Sequence, residues 1–153
     1  MKKLLLALAA LWATTSTVSA QNIALDERAP ELRIQSWLDS REPAPAPLTY
    51  VEFFHSSNQS SLASVERLQK LSAQCGDRLR IVVLVHEPQE KVARLLAPFV
   101  SERLGVGFDP TGRNFAAYGV TYVPFGVLLG ARNRALWMGN AQQLTPAIID
   151  RSK

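Results

Sequence analysis

Few residues in this chain can do chemistry, and their spacing limits what that chemistry is. Cysteine occurs once, at Cys75, which excludes an intrachain disulfide, a C-x-x-C redox pair and a cysteine-based zinc site. Histidine occurs twice, and each follows an apolar run: Phe53-Phe54-His55, and Leu84-Val85-His86 before Glu87. If both runs are neighbouring parallel strands, His55, His86 and Glu87 meet at one sheet end, where a small metal or acid–base site is conceivable. Two histidines without a metal-ligand spacing fall short of a secure zinc set. No metal and no cofactor is therefore expected, and a metal-binding module at His55 and His86 stands only as an alternative.

The elements that must position these groups alternate between strand and helix from Leu48 onward. Thr49 to Phe54 is β-branched and aromatic and reads as a buried strand. The polar cluster Asn58 to Ser61 suits a helix N-terminus. Leu62, Val65, Leu68, Leu71 or Ser72, and Cys75 recur at helical spacing up to a stop at Gly76. Cys75 shares the phase of Leu68 and Leu71, so it is expected as a buried, inert thiol about 20 Å along the helix from Ser61. Arg80 to Val85 reads as a central strand covered on both faces. A second helix starts at Glu87-Pro88 and is divided near Pro98. A turn at Phe108 to Gly112 and a short helix at Asn114 to Tyr118 come next. A strand pair at Phe125 to Leu129 and Ala135 to Met138 follows, then a closing helix at Thr145 to Arg151. The order predicts an α/β domain, a central mixed sheet flanked by helices.

The N-terminal third has a different character. Lys2 and Lys3 precede the apolar run Leu4 to Trp12, and Val18-Ser19-Ala20 offers a small-x-small cleavage site. Residues 1–20 thus read as a secretory signal cleaved after Ala20, with an N-terminal membrane anchor the alternative; no stable membrane anchor is expected after cleavage. Residues 21–47 read as an arm with a short strand, ending in the stiff, proline-rich spacer Arg41 to Pro47. Residues 48–153 hold the main domain. The whole chain of 153 residues carries +4, but losing the two leader lysines leaves fifteen basic groups against thirteen acidic ones, or +2. The basic residues are dispersed, which argues against nucleic acid as a partner. Export to a bacterial periplasm is expected.

Several short motifs then fall in a familiar order. Ala29-Pro30 and Trp37-Leu38-Asp39-Ser40 come first, and Phe53 to Ser61 reads F-F-H-S-S-N-Q-S-S. Asp109-Pro110-Thr111-Gly112 precedes Tyr118-Gly119-Val120-Thr121-Tyr122-Val123-Pro124-Phe125. Over roughly residues 29–150 this pattern resembles the exported TlpA-type (redoxin) thiol–disulfide oxidoreductases and their thioredoxin-like fold. The resemblance places Asn58 and Ser61 where that family has its two reactive cysteines. Neither an amide nor an unactivated hydroxyl can carry out thiol–disulfide exchange, so both are read as helix caps. The resemblance also implies that Glu52 is a remnant of the buried acid that assists proton transfer, its pKa raised by desolvation or its carboxylate satisfied by a neighbour. It implies that Pro124 is a cis-proline beside the old active-site loop.

The resulting expectation is an exported thioredoxin-like domain without redox cysteines, leaning away from an enzyme and toward a protein- or peptide-binding accessory module. Its candidate surface joins the former active-site loop (His55, Ser56, Ser57, Asn58, Gln59, Ser60, Ser61) to the proline loop (Tyr122, Val123, Pro124, Phe125). An extended peptide pairing with Val123 is the expected mode. The alternative enzyme is a divergent oxidoreductase or peroxidase using Cys75 with a partner thiol.

Overall fold

A six-stranded mixed sheet organises the computed structural model, which describes residues 23–152. The expected leader and its cleavage point lie outside the described residues, as do Gln21, Asn22 and Lys153. At the centre β2 (Leu48–Phe54) and β3 (Leu79–Val85) run parallel, with Glu52 beside Val83. β4 (Leu104–Phe108) extends the parallel set and takes the two-residue β1 (Ser36–Trp37) antiparallel on its outer side. Across β2, the hairpin β5 (Phe125–Leu129) and β6 (Ala135–Gly139) completes the sheet in antiparallel register.

Strand alternation splits the core into two layers. Tyr50, Phe54, Ile81, Val83, Leu104 and Val106 face helices α1 (Gln59–Cys75), α2 (Gln89–Leu96) and α4 (Pro146–Arg151). Val51, Phe53, Val82, Leu84 and Val127 face the other way, toward α3 (Arg113–Ala117) and the N-terminal arm. Both central strands are therefore apolar along almost their whole length, as a doubly covered position requires. Half-buried Thr49 and Arg80 lie near the strand starts, and the fully buried exception is Glu52, which sits on the α1 side.

Three local expectations change on meeting this arrangement. β4 is a strand that propensity does not predict, since Leu104-Gly-Val-Gly-Phe carries two residues of low strand propensity. The glycines serve the packing: a Cβ at Gly105 would stand 2.5 Å from Pro43 Cδ, and one at Gly107 2.9 Å from Ile34 Cγ2. The inner face of α1 is not led by Leu62, which is half-buried, but includes the buried Ser61 and Ser64 with Val65, Leu68, Leu71 and Cys75. The stiff proline-rich segment is more than a spacer, because it packs against the domain. Pro43 is buried, the Ala44 N–H donates to the Glu102 carbonyl at 2.8 Å, and Arg103 donates to the Pro45 carbonyl at 2.7 Å.

The rest of the arm is stapled to the sheet by two asparagines. Buried Asn114 accepts from the Arg33 N–H at 2.8 Å and donates to the Arg33 carbonyl at 2.7 Å. Asn133 donates to the carbonyls of Ala29 and Pro30 at 2.8 and 2.9 Å, and the Tyr118 hydroxyl reaches the Pro30 carbonyl at 2.7 Å. No described helix is long and apolar enough to cross a membrane.

Candidate functional site

The carboxyl ends of β2 and β3 bring the sequence-predicted groups to one place, as open parallel sheets do. β2 ends at Phe54, and the following His55 to Asn58 lead into α1. Asn58 is the N-cap. Its Oδ1 accepts from the Ser60 N–H at 2.9 Å, which satisfies one of the helix's free donors. The same side chain turns its amide outward, and Nδ2 donates to the Val123 carbonyl at 2.8 Å. One residue thus closes the helix and ties it to the proline loop, where the Val123–Pro124 peptide is cis.

Ser61 does not act as a cap. It is the third residue of α1, fully buried, and its Oγ has no partner among the described residues. The reason is geometric: a cap needs extended backbone outside the helix, and Ser61 is already inside with its side chain toward the sheet. One turn further on, Ser64 donates to Glu52 Oε2. Burial drives the Glu52 carboxyl up to about 8, and the Ser64 hydrogen bond pulls weakly the other way. Ser64 was missed in the sequence, although its i+3 relation to Ser61 places both on one helix face.

The two histidines do approach each other, with ring centroids 5.7 Å apart, and His86 packs edge-on to Phe115 at 4.5 Å. Glu87 is buried beneath them. It accepts from the Ser56 N–H at 2.8 Å and the Ser56 hydroxyl at 2.6 Å, and it faces Lys91 Nζ at 3.2 Å and His55 Nε2 at 3.7 Å. Desolvation would raise the Glu87 pKa, but the Ser56 and Lys91 bonds and His55 outweigh it and hold the group below its usual value. Those partners occupy the carboxylate that a metal would need. Among the described residues no cluster of three or more His, Cys, Asp or Glu is placed to hold a metal ion, so the His55/His86 alternative gains no third ligand.

The proline loop presents an aromatic pair. Tyr122 is 64% exposed and meets Phe125 edge-on at 5.6 Å. Behind them lies a cavity of about 160 Å³ bordered by Ile23, Tyr118, Val120 and Met138. Cys75 lies far from all of this, at the last turn of α1. It is 3% exposed, and burial pushes its thiol pKa up against a weaker opposing pull from Arg78. Such a thiol is a poor nucleophile.

No protein-family model matches the chain, and neither does any curated protein. Solved structures do match. A thioredoxin-like protein from Bacteroides caccae superposes with a TM-score of 0.69 at 12% identity, covering 87% of this chain and 52% of that one. A Chlorobium tepidum protein proposed to be a thiol:disulfide interchange protein, DsbE, gives 0.64 at 18% identity, over 84% and 92% of the two chains. A peroxiredoxin-like protein from Aquifex aeolicus gives 0.62 at 13% identity, over 78% and 77%. Likeness at these identities speaks to fold, and the mixed sheet with its flanking helices agrees: the chain has the thioredoxin-like fold, with Asn58 and Ser61 at the start of α1 and its single cysteine buried at the far end of that helix.

Proposed function

We propose that this protein is an exported thioredoxin-like domain that has lost thiol–disulfide exchange and binds an extended segment of a partner protein beside its proline loop. The observation that carries the reading is Tyr122, a large aromatic side chain left 64% exposed next to Phe125 and the Asn58–Val123 contact. Exposed aromatic rings with an apolar body and a polar tip are favoured at interfaces. Loss of exchange is supported by the amide and the hydroxyl at the head of α1, neither of which can attack a disulfide. Export to a periplasm is supported by the signal-like first twenty residues.

The hydrogen-bonding pattern refines the binding mode. Asn58 already uses one of the two acceptor positions of the Val123 carbonyl, which weakens a backbone ladder there and leaves the Tyr122 and Phe125 rings as the main partner contacts. The test is photo-crosslinking from benzoylphenylalanine placed at Tyr122 in the exported compartment, with the same label at the exposed Glu66 as control. Discrete adducts from position 122 and none from 66 are expected, together with insulin reduction at the background rate. Equal adducts from both positions, none from 122, or insulin reduction above background would overturn the reading.

A further inference from the structure

The loop before α1 holds an arrangement that peptide binding does not use. The Ser57 N–H approaches His55 Nδ1 at 3.2 Å, and the Ser57 Oγ lies 2.7 Å from the same nitrogen. A backbone N–H can only donate, so Nδ1 carries the lone pair and a neutral ring bears its proton on Nε2. That second nitrogen faces Glu87 Oε1 at 3.7 Å, too long for a hydrogen bond from the neutral ring but close enough to form an ion pair once the ring takes a second proton, and Glu87 is itself fixed by both donors of Ser56. Hydroxyl and buried carboxylate therefore flank the imidazole on its two ring nitrogens, with Ser57 exposed to solvent. Next along the chain, the Gln59 N–H opens the seventeen-residue helix α1 and has no acceptor among the described residues. It lies at the positive end of the helix dipole.

We propose that Ser57 is a nucleophile, His55 its general base and Glu87 the residue that positions His55, together transferring acyl groups from activated carboxylic esters to water. In the first half, Ser57 Oγ forms a bond to the ester carbonyl carbon while its proton passes to His55 Nδ1. The bond from that carbon to the leaving oxygen breaks, and the leaving group takes its proton from His55. In the second half, water bonds to the acyl carbon and gives a proton to His55 Nδ1. The bond from that carbon to Ser57 Oγ breaks, and the proton returns to Ser57. The Gln59 N–H at the head of α1 is the donor assigned to the negative charge that develops on the carbonyl oxygen. This is the logic of a serine–histidine–carboxylate set, with the two ring nitrogens exchanged relative to the commonest arrangement. It does not depend on a partner protein docking at Tyr122.

The experiment is hydrolysis of p-nitrophenyl acetate by the purified protein, followed optically and by peptide mass spectrometry. The expected result is catalytic release of p-nitrophenol with one acetyl group trapped on Ser57. Ser57→Ala and His55→Ala should each lose about 100-fold or more in rate. Glu87→Gln, which keeps an acceptor for Ser56, should lower kcat while leaving KM unchanged, and Cys75→Ser should keep the full rate. Ser57 is exposed, so a folded Ser57→Ala protein, checked by circular dichroism, makes the comparison valid. Release equal in wild type and Ser57→Ala, acetylation at Lys91 or Cys75 in place of Ser57, or no release above buffer would overturn the proposal.

Discussion

Glu52 lies on a strand face that is otherwise apolar, and its behaviour follows from that placement. Buried between Tyr50 and Phe54 on β2, it meets a single donor among the described residues, Ser64. Burial raises its folded pKa to about 8, well above the ordinary carboxylate range, so between those values the folded state holds a proton that the unfolded chain releases. For a carboxyl shifted upward, the contribution to stability is complete below the unfolded pKa and is lost as pH rises toward the folded one. Stability should fall across this window by at most about 1.4 kcal/mol per pH unit from this group. Glu87, shifted downward, works in the opposite sense and is lost as pH falls, but it is common to wild type and variant. Urea unfolding of Glu52→Gln and wild type is therefore expected to diverge as pH rises, with the variant gaining, and to level off above about pH 8. A difference independent of pH would contradict the placement of a protonated Glu52.

Among the elements, β4 shows how a strand can be specified by what covers it. Leu104, Val106 and Phe108 face the helix-side core, while Gly105 and Gly107 on the opposite face admit the arm. Gly107 would put a Cβ 2.9 Å from Ile34 Cγ2 and 3.3 Å from Trp37 Cζ3, and both neighbours are packed against the second core layer. Strand propensity alone would favour valine here, yet packing wins. Gly107→Val is expected to destabilise by about 1–3 kcal/mol, read as a lower urea midpoint with unchanged slope. A neutral or stabilising result would mean that the arm does not hold its place over β4.

For the molecule as a whole, the arm is part of the fold rather than an appendage. Asn114 replaces a missing backbone pair, accepting from the N–H of Arg33 and donating to its carbonyl, and Asn133 does similar work at Ala29 and Pro30. Removing one such partner leaves buried or half-buried backbone groups unsatisfied, at a cost of about 1–3 kcal/mol each. Asn114→Ala should therefore lower stability and open the arm to trypsin at Arg33 ahead of global unfolding. Cleavage at Arg33 no faster than in wild type would show that the arm is held by its apolar contacts alone. A division into arm and domain is natural from composition, because a proline-rich stretch separates them. The docking was not visible there, since it depends on two asparagines more than eighty residues along the chain.

Periodicity and turn chemistry by themselves determined the alternating strand–helix order apart from β4, the capping of α1 by Asn58, its end at Gly76 and the burial of Cys75, because those depend on near neighbours. The single cysteine already excluded paired-thiol chemistry. Tertiary structure decided the rest. It turned Ser61 from a supposed cap into a buried hydroxyl, paired Glu52 with Ser64, and locked Asn58 onto Val123 across 65 residues. It also brought Glu87 under His55 and Ser56, contacts made only when β2 and β3 lie side by side. Local sequence carries dihedral preference and phase, whereas hydrogen-bond partners across the sheet exist only after the chain has chosen its strand order.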